Sequence, residues 1–197
     1  MKKMMILMIA MVLLGVGYSA IAQTKTGKEL SALTRDAIKQ IPNRDLVTGE
    51  IIPAEKLITS DSVVEVSDMT AFCNQMGILI EDRKKFGQAF TLSNNFPIFI
   101  NVDPTTGSEF VEYQKRYPQI PQMALVVAAM LYHEQTHARG ERDEGPAYAR
   151  ELALLKLFES NGKFAGAQWA SQYLVLVGQQ LATAQQASDQ LRVRMVR

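Results

Sequence analysis

From Met123 to Tyr132 the chain is apolar at almost every position, and the run passes without a break into His133-Glu134-Gln135-Thr136-His137. No other segment constrains the fold as much. A surface helix carries its apolar residues on one stripe, whereas a helix that is apolar nearly all round has to be buried on most of its circumference. Pro121 suits the first helical position, where its missing N–H costs nothing. Gly140 is a natural stop beyond the end. The sequence therefore predicts a central helix with other elements packed around it, and this helix carries two histidines and a glutamate inward. Polar groups in such a place need partners.

His133 and His137 are the only two histidines of the chain. Four residues apart on a helix, they share a face, with Cβ atoms about 6 Å apart. Two imidazoles placed in this way can bind one tetrahedral Zn2+. Glu134 is turned about 100° from His133 around the helix axis. It can reach a water on the metal without being a ligand itself. Zinc lowers the pKa of such a water to about 7. Glu134 is then the expected general base, taking the proton as the water attacks a carbonyl and passing it to the leaving amine.

Of the 197 residues, 47% are hydrophobic and 21% charged, with a formal net charge of +1. This is a globular composition of one-domain size. It gives no reason to expect nucleic acid or an anionic membrane surface as partner. Lys2 and Lys3, the apolar run Met4 to Val16 and the small-x-small site Ala20-Ile21-Ala22 have the three-part layout of a secretory signal peptide over residues 1–22. The alternative, an uncleaved membrane anchor, would need roughly 20 apolar residues. Export to a periplasm or outside the cell is expected, with no stable membrane anchor after cleavage. The single cysteine, Cys73, has no partner for an internal disulfide. It reads as a small buried apolar residue rather than as a nucleophile.

Thr26-Gly27-Lys28-Glu29 has the form of a capping box. Leu30, Leu33, Ala37, Ile38 and Ile41 follow at helical spacing, and Pro42 ends the helix. Asn43 to Pro53 reads as turns. Ser62 to Val66 is a possible strand, and Thr70 to Arg83 fits helix or strand. Gln88 to Leu92 and Phe96 to Val102 read as a hairpin across Ser93-Asn94-Asn95, with Pro97 marking the second strand as an edge. After the central helix, Pro146 is expected to open a helix reaching Ser160. Asn161-Gly162 turns the chain into a third helix bearing Trp169, Tyr173, Val177 and Leu181 on one side, with a fraying tail.

The segment Tyr132-His133-Glu134-Gln135-Thr136-His137 resembles the active-site helix of the zincin metallopeptidases over residues 121–151. The resemblance implies a zinc-binding helix, a preceding sheet whose edge strand aligns the substrate, and a third ligand downstream. Phe96 to Val102 stands where that strand would be. In Glu-type zincins the third ligand is a glutamate on the next helix, and Glu144-Gly145-Pro146-Ala147-Tyr148-Ala149-Arg150-Glu151 is similar to their Glu-x-x-Ala pattern. Glu144, Ala147, Tyr148 and Glu151 would share one face. The competing pattern, His133-x-x-x-His137-x-x-Gly140-x-x-Asp143, is similar to the metzincins, with Asp143 as third ligand. Glu141, Glu151 or no third ligand from the protein are further alternatives. Tyr148 is either an oxyanion donor or a packing residue, and Arg139 and Arg142 either pair with Glu141 or Asp143 or belong to a solvated loop.

The expected fold is α+β and mostly helical: a small antiparallel sheet whose edge strand packs on an active-site helix, with two further helices after it. A helical N-terminal extension over 23–60 precedes a zincin-like domain over 61–197. The expected function is an exported zinc metallopeptidase acting on peptides or proteins. A zinc site that serves only structure or binding, or an amidase on cell-wall peptide, are the alternatives. The oligomeric state is not legible.

Overall fold

The computed structural model describes residues 24–78, 88–92, 95–105 and 121–195. The proposed signal segment, the turn at 93–94, residues 79–83 and the polar stretch with Tyr113, Tyr117 and Pro118 lie outside the described residues. The fold is α+β. Strands β1 (Thr24–Thr26), β2 (Val63–Val66), β3 (Ala89–Thr91) and β4 (Ile98–Asn101) form one sheet in the order β1-β2-β4-β3. The helices are α1 (Ala32–Ile38), α2 (Met69–Met76), α3 (Pro121–Ala138), α4 (Glu144–Ser160) and α5 (Gln168–Met195).

The sheet is mixed. β1 with β2 and β3 with β4 are antiparallel, and β2 with β4 is parallel. The hairpin pairing of β3 and β4 is present, but β4 is an interior strand, not the edge that Pro97 suggested. Pro97 precedes Ile98, the first residue of the strand, so its missing N–H removes no ladder bond. All four residues of β4 are buried, as expected of a strand covered on both faces. Ile98 and Ile100 face the main core with Val63, and Phe99 faces the other way with Phe90, Val66 and α2. Cys73 of α2 is fully buried there. The edge strand beside the central helix is β3, which packs on α3.

α3 starts at Pro121 and is enclosed as its composition requires. Twelve of its residues are buried, among them Leu125, Val127, Ala129, Leu131, Tyr132 and His133. It is covered by α1, α4 and the sheet. Residues 24–60 belong to the same packing. β1 pairs with β2, Leu30, Ala37 and Ile52 join the core, and the Gln135 side-chain amide donates to the Lys56 carbonyl at 2.8 Å. The Tyr132 hydroxyl accepts from the Leu46 N–H at 2.8 Å and donates to the Arg44 carbonyl at 2.9 Å. This anchors the 43–53 turns, where Gly49 has φ 78°.

Three local expectations shift. Thr26 makes no side-chain cap. Instead Ser31 caps α1, accepting from the Thr34 N–H, while Glu65 of β2 accepts from the Ser31 N–H. That tertiary contact moves the helix start to Ala32. α4 opens two residues ahead of Pro146, at Glu144, and Pro146 falls in the first turn, where an N–H is dispensable. α5 continues through its Gln- and Ala-rich stretch, residues that are good helix formers, for 28 residues to Met195.

Candidate metal centre

The two histidines leave α3 on its last turns, and Gly140, at φ 105°, reverses the chain toward α4. The reversal brings the first residue of α4 back over them. His133 Nε2 and His137 Nε2 are 3.3 Å apart, and Glu144 Oε2 lies 3.3 Å from the first and 3.7 Å from the second. A tetrahedral zinc with bonds of about 2.0–2.1 Å places its ligand atoms roughly 3.3–3.4 Å apart. The three side chains therefore fit a small divalent ion, and imidazole with carboxylate suits several of these besides zinc.

The proton assignment sharpens this. His133 Nδ1 lies 2.9 Å from the Glu151 carboxylate, which only accepts, so Nδ1 carries the proton. His137 Nδ1 lies 2.9 Å from the Glu141 carbonyl and is a donor by the same argument. With both Nδ1–H groups committed, the two Nε2 atoms and Glu144 Oε2 converge, and either an Nε2 proton donated to Glu144 or a metal ion can hold the three together.

The electrostatics follow from this geometry. Burial pulls the His133 pKa down, but hydrogen bonds to Glu144 and Glu151 outweigh it and raise the value to about 10. His137 is raised by its Glu144 contact against the opposing effect of burial. The same two histidines hold Glu144 well below the usual carboxylate range. Burial lifts Glu134 to about 7, although the histidines beside it oppose the shift.

Glu144 therefore joins the histidines, and Asp143 does not. Asp143 occupies the N-cap position of α4 and is exposed. Among the described residues, His133, His137 and Glu144 form the one group able to hold a metal. Glu141 contributes its carbonyl to His137, while its carboxylate accepts from the N–H groups of Arg142 and Asp143. Glu151 contacts the far nitrogen of His133 and so orients the ring. Tyr148 packs its ring edge-on to His133, with centroids 4.6 Å apart. Arg139 does not pair with Glu141 or Asp143 but reaches Asp45 at 3.2 Å.

Two features escape a reading of spacing alone. The Tyr173 hydroxyl of α5 donates to Glu151 at 2.6 Å. Asp45 is fully buried between Arg139 and Arg150, locking the 43–53 turns to α3 and α4. Outside the three converging atoms, Glu144 is 56% exposed. It opens onto a groove between residues 141–150 and the Gln180–Asp189 stretch of α5. No family model, curated protein or solved structure matches the chain.

Proposed function

We propose that the chain is an exported zinc-dependent peptidase of zincin-like type, with His133, His137 and Glu144 holding the metal and Glu134 as general base. The observation that carries the reading is the convergence of two Nε2 atoms and one carboxylate oxygen while both Nδ1 atoms are engaged elsewhere. Metal-binding histidines characteristically donate their other N–H to a carboxylate or a backbone carbonyl. Here one does each. The exposed side of Glu144 leaves the site open, as catalysis requires and a purely structural site does not.

The ion would act as a Lewis acid on the scissile carbonyl and lower the pKa of a water molecule. Glu134 takes a proton from the water that attacks the carbonyl carbon, then delivers it to the leaving amine nitrogen. Burial raises the Glu134 carboxyl to about 7 in the metal-free chain, and a bound cation would oppose that shift and favour the carboxylate that accepts the proton. Tyr148 stays protonated, its pKa raised by burial and by Glu144, Glu151 and Glu134. As a neutral phenol it is suited to donate to a developing oxyanion. The groove beside Glu144 is lined also by Tyr148 and by α5, and a peptide bound there would lie on the Glu144 side of the site. Export is supported by Lys2-Lys3, the apolar run after them and Ala20-Ile21-Ala22.

Metal analysis of the purified chain and hydrolysis of a broad peptide library test the reading together. Wild type is expected to hold one zinc per chain and to cleave, and Glu134→Gln to hold zinc and not cleave. Hydrolysis undiminished in Glu134→Gln would sink the mechanism. Zinc without hydrolysis in wild type would leave a binding or structural site.

A further inference from the structure

We infer that Tyr173 is a positioning residue for the His133 ligand, acting through Glu151; the inference rests on the metal-site reading above. The Tyr173 hydroxyl donates to Glu151 Oε1 at 2.6 Å, and the other oxygen, Oε2, accepts the His133 Nδ1–H at 2.9 Å. The two oxygens of one carboxylate thus join α5 to α3, with α4 between them. Glu151 is 3% exposed, and among the described residues it pairs with His133 and with no lysine or arginine.

The terminal torsion of a glutamate is soft and roughly two-fold. One hydrogen bond leaves the carboxylate plane free to turn, whereas two bonds on opposite oxygens fix it. Fixing the plane fixes where the Nδ1–H points, and so where the Nε2 lone pair is aimed. Outer partners of this kind set ring orientation, and their loss typically costs about 10–100-fold in metal affinity. Tyr173 stands one step further out than Glu151, so the lower end applies to it. Its ring also packs on the core. Tyr173→Phe keeps that packing and removes only the hydroxyl.

The test is zinc affinity of the full chain, measured by competition with a chromophoric chelator, in wild type, Tyr173→Phe, Glu151→Gln and the double variant. Tyr173→Phe is expected to weaken zinc about 10-fold, with the metal-free urea midpoint close to wild type. Glu151→Gln should weaken zinc at least as much, and the double variant should be no weaker than Glu151→Gln alone. A Tyr173→Phe affinity equal to wild type overturns the inference. So does an equal further loss in the Glu151→Gln background, since the hydroxyl would then act without Glu151. Should Glu151→Gln not fold, the visible spectrum of the Co2+-loaded Tyr173→Phe protein carries the test, and bands identical to wild type overturn the inference. A wild-type chain that binds no zinc overturns the metal reading itself, a result distinct from a wild type that binds and a Tyr173→Phe variant that matches it.

Discussion

Arg150 donates its Nε–H to Asp45 at 2.7 Å across 105 positions of sequence, and Asp45 is fully buried. The same carboxylate oxygen accepts from Arg139, and the other oxygen caps the turn through the Val47 and Thr48 N–H groups. Arg139 closes the helix of the two histidines, and Arg150 stands beside Glu151. One carboxylate thus holds the turn, the end of α3 and the middle of α4 in register. Asp45→Ala leaves two guanidinium groups without their partner, and breaking a buried pair in this way costs about 3–5 kcal/mol. The expected outcome is an unfolding free energy, from urea titration, lowered by that amount. A change within about 0.5 kcal/mol, as for an ordinary surface substitution, would show that the clamp holds nothing.

The choice of third ligand leads to a paired prediction. Glu144→Gln keeps the shape of the side chain but gives up the charge that faces both histidines. It should weaken zinc by more than the roughly 100-fold ceiling for an outer-partner loss. Asp143→Asn, one residue away at the N-cap position, should leave affinity within about two-fold, because the exposed Asp143 side chain makes no cap hydrogen bond and faces neither histidine, as for an ordinary surface substitution. Titration against a chelator separates the two. A large loss in Asp143→Asn with a small one in Glu144→Gln would move the ligand and favour the metzincin-like pattern.

The part of the fold that was legible is the part set by local periodicity. The apolar run before His133 required a buried helix, and α3 is enclosed on most of its circumference. His133, His137 and Glu144 could be matched because helix spacing and one short loop relate them. β4 was misread because Pro97 was counted inside a strand that begins one residue later. The sheet order depends on a parallel pairing of β2 with β4, which no spacing announces. Asp45 lies 94 residues from Arg139, and Tyr173 lies 22 from Glu151 across a turn. These contacts exist only once the helices have docked, so no sequence period records them. The closest signal was the helical face shared by Glu144 and Glu151, which suggested two candidate ligands, whereas Glu144 faces both Nε2 atoms and Glu151 meets Nδ1 of His133.

The last prediction concerns pH. In the metal-free chain His133 is raised from 6.5 to about 10 against the pull of burial, because Glu144 and Glu151 favour its protonated form. A raised folded-state pKa contributes stability that is fully present below the unfolded value and lost as pH rises through the folded one. His133 therefore stabilises the metal-free fold below about 6.5 and stops doing so by about 10. Glu134, raised by burial from 4.5 to about 7, has the same sign over a lower window. Glu144 has the opposite sign. Held below its usual range, it contributes above 4.5, and that contribution is lost only in acid. Metal-free stability should thus peak near pH 5 and decline steadily toward pH 10. Zinc must displace the histidine protons, so its stabilising increment should grow over the same range in which the metal-free fold weakens. Urea midpoints at fixed free zinc and at zero zinc, taken every half unit from pH 5 to 10, give both curves. A zinc increment that is flat with pH would mean that the imidazoles give up no protons to the metal, and His133 and His137 would not be its ligands.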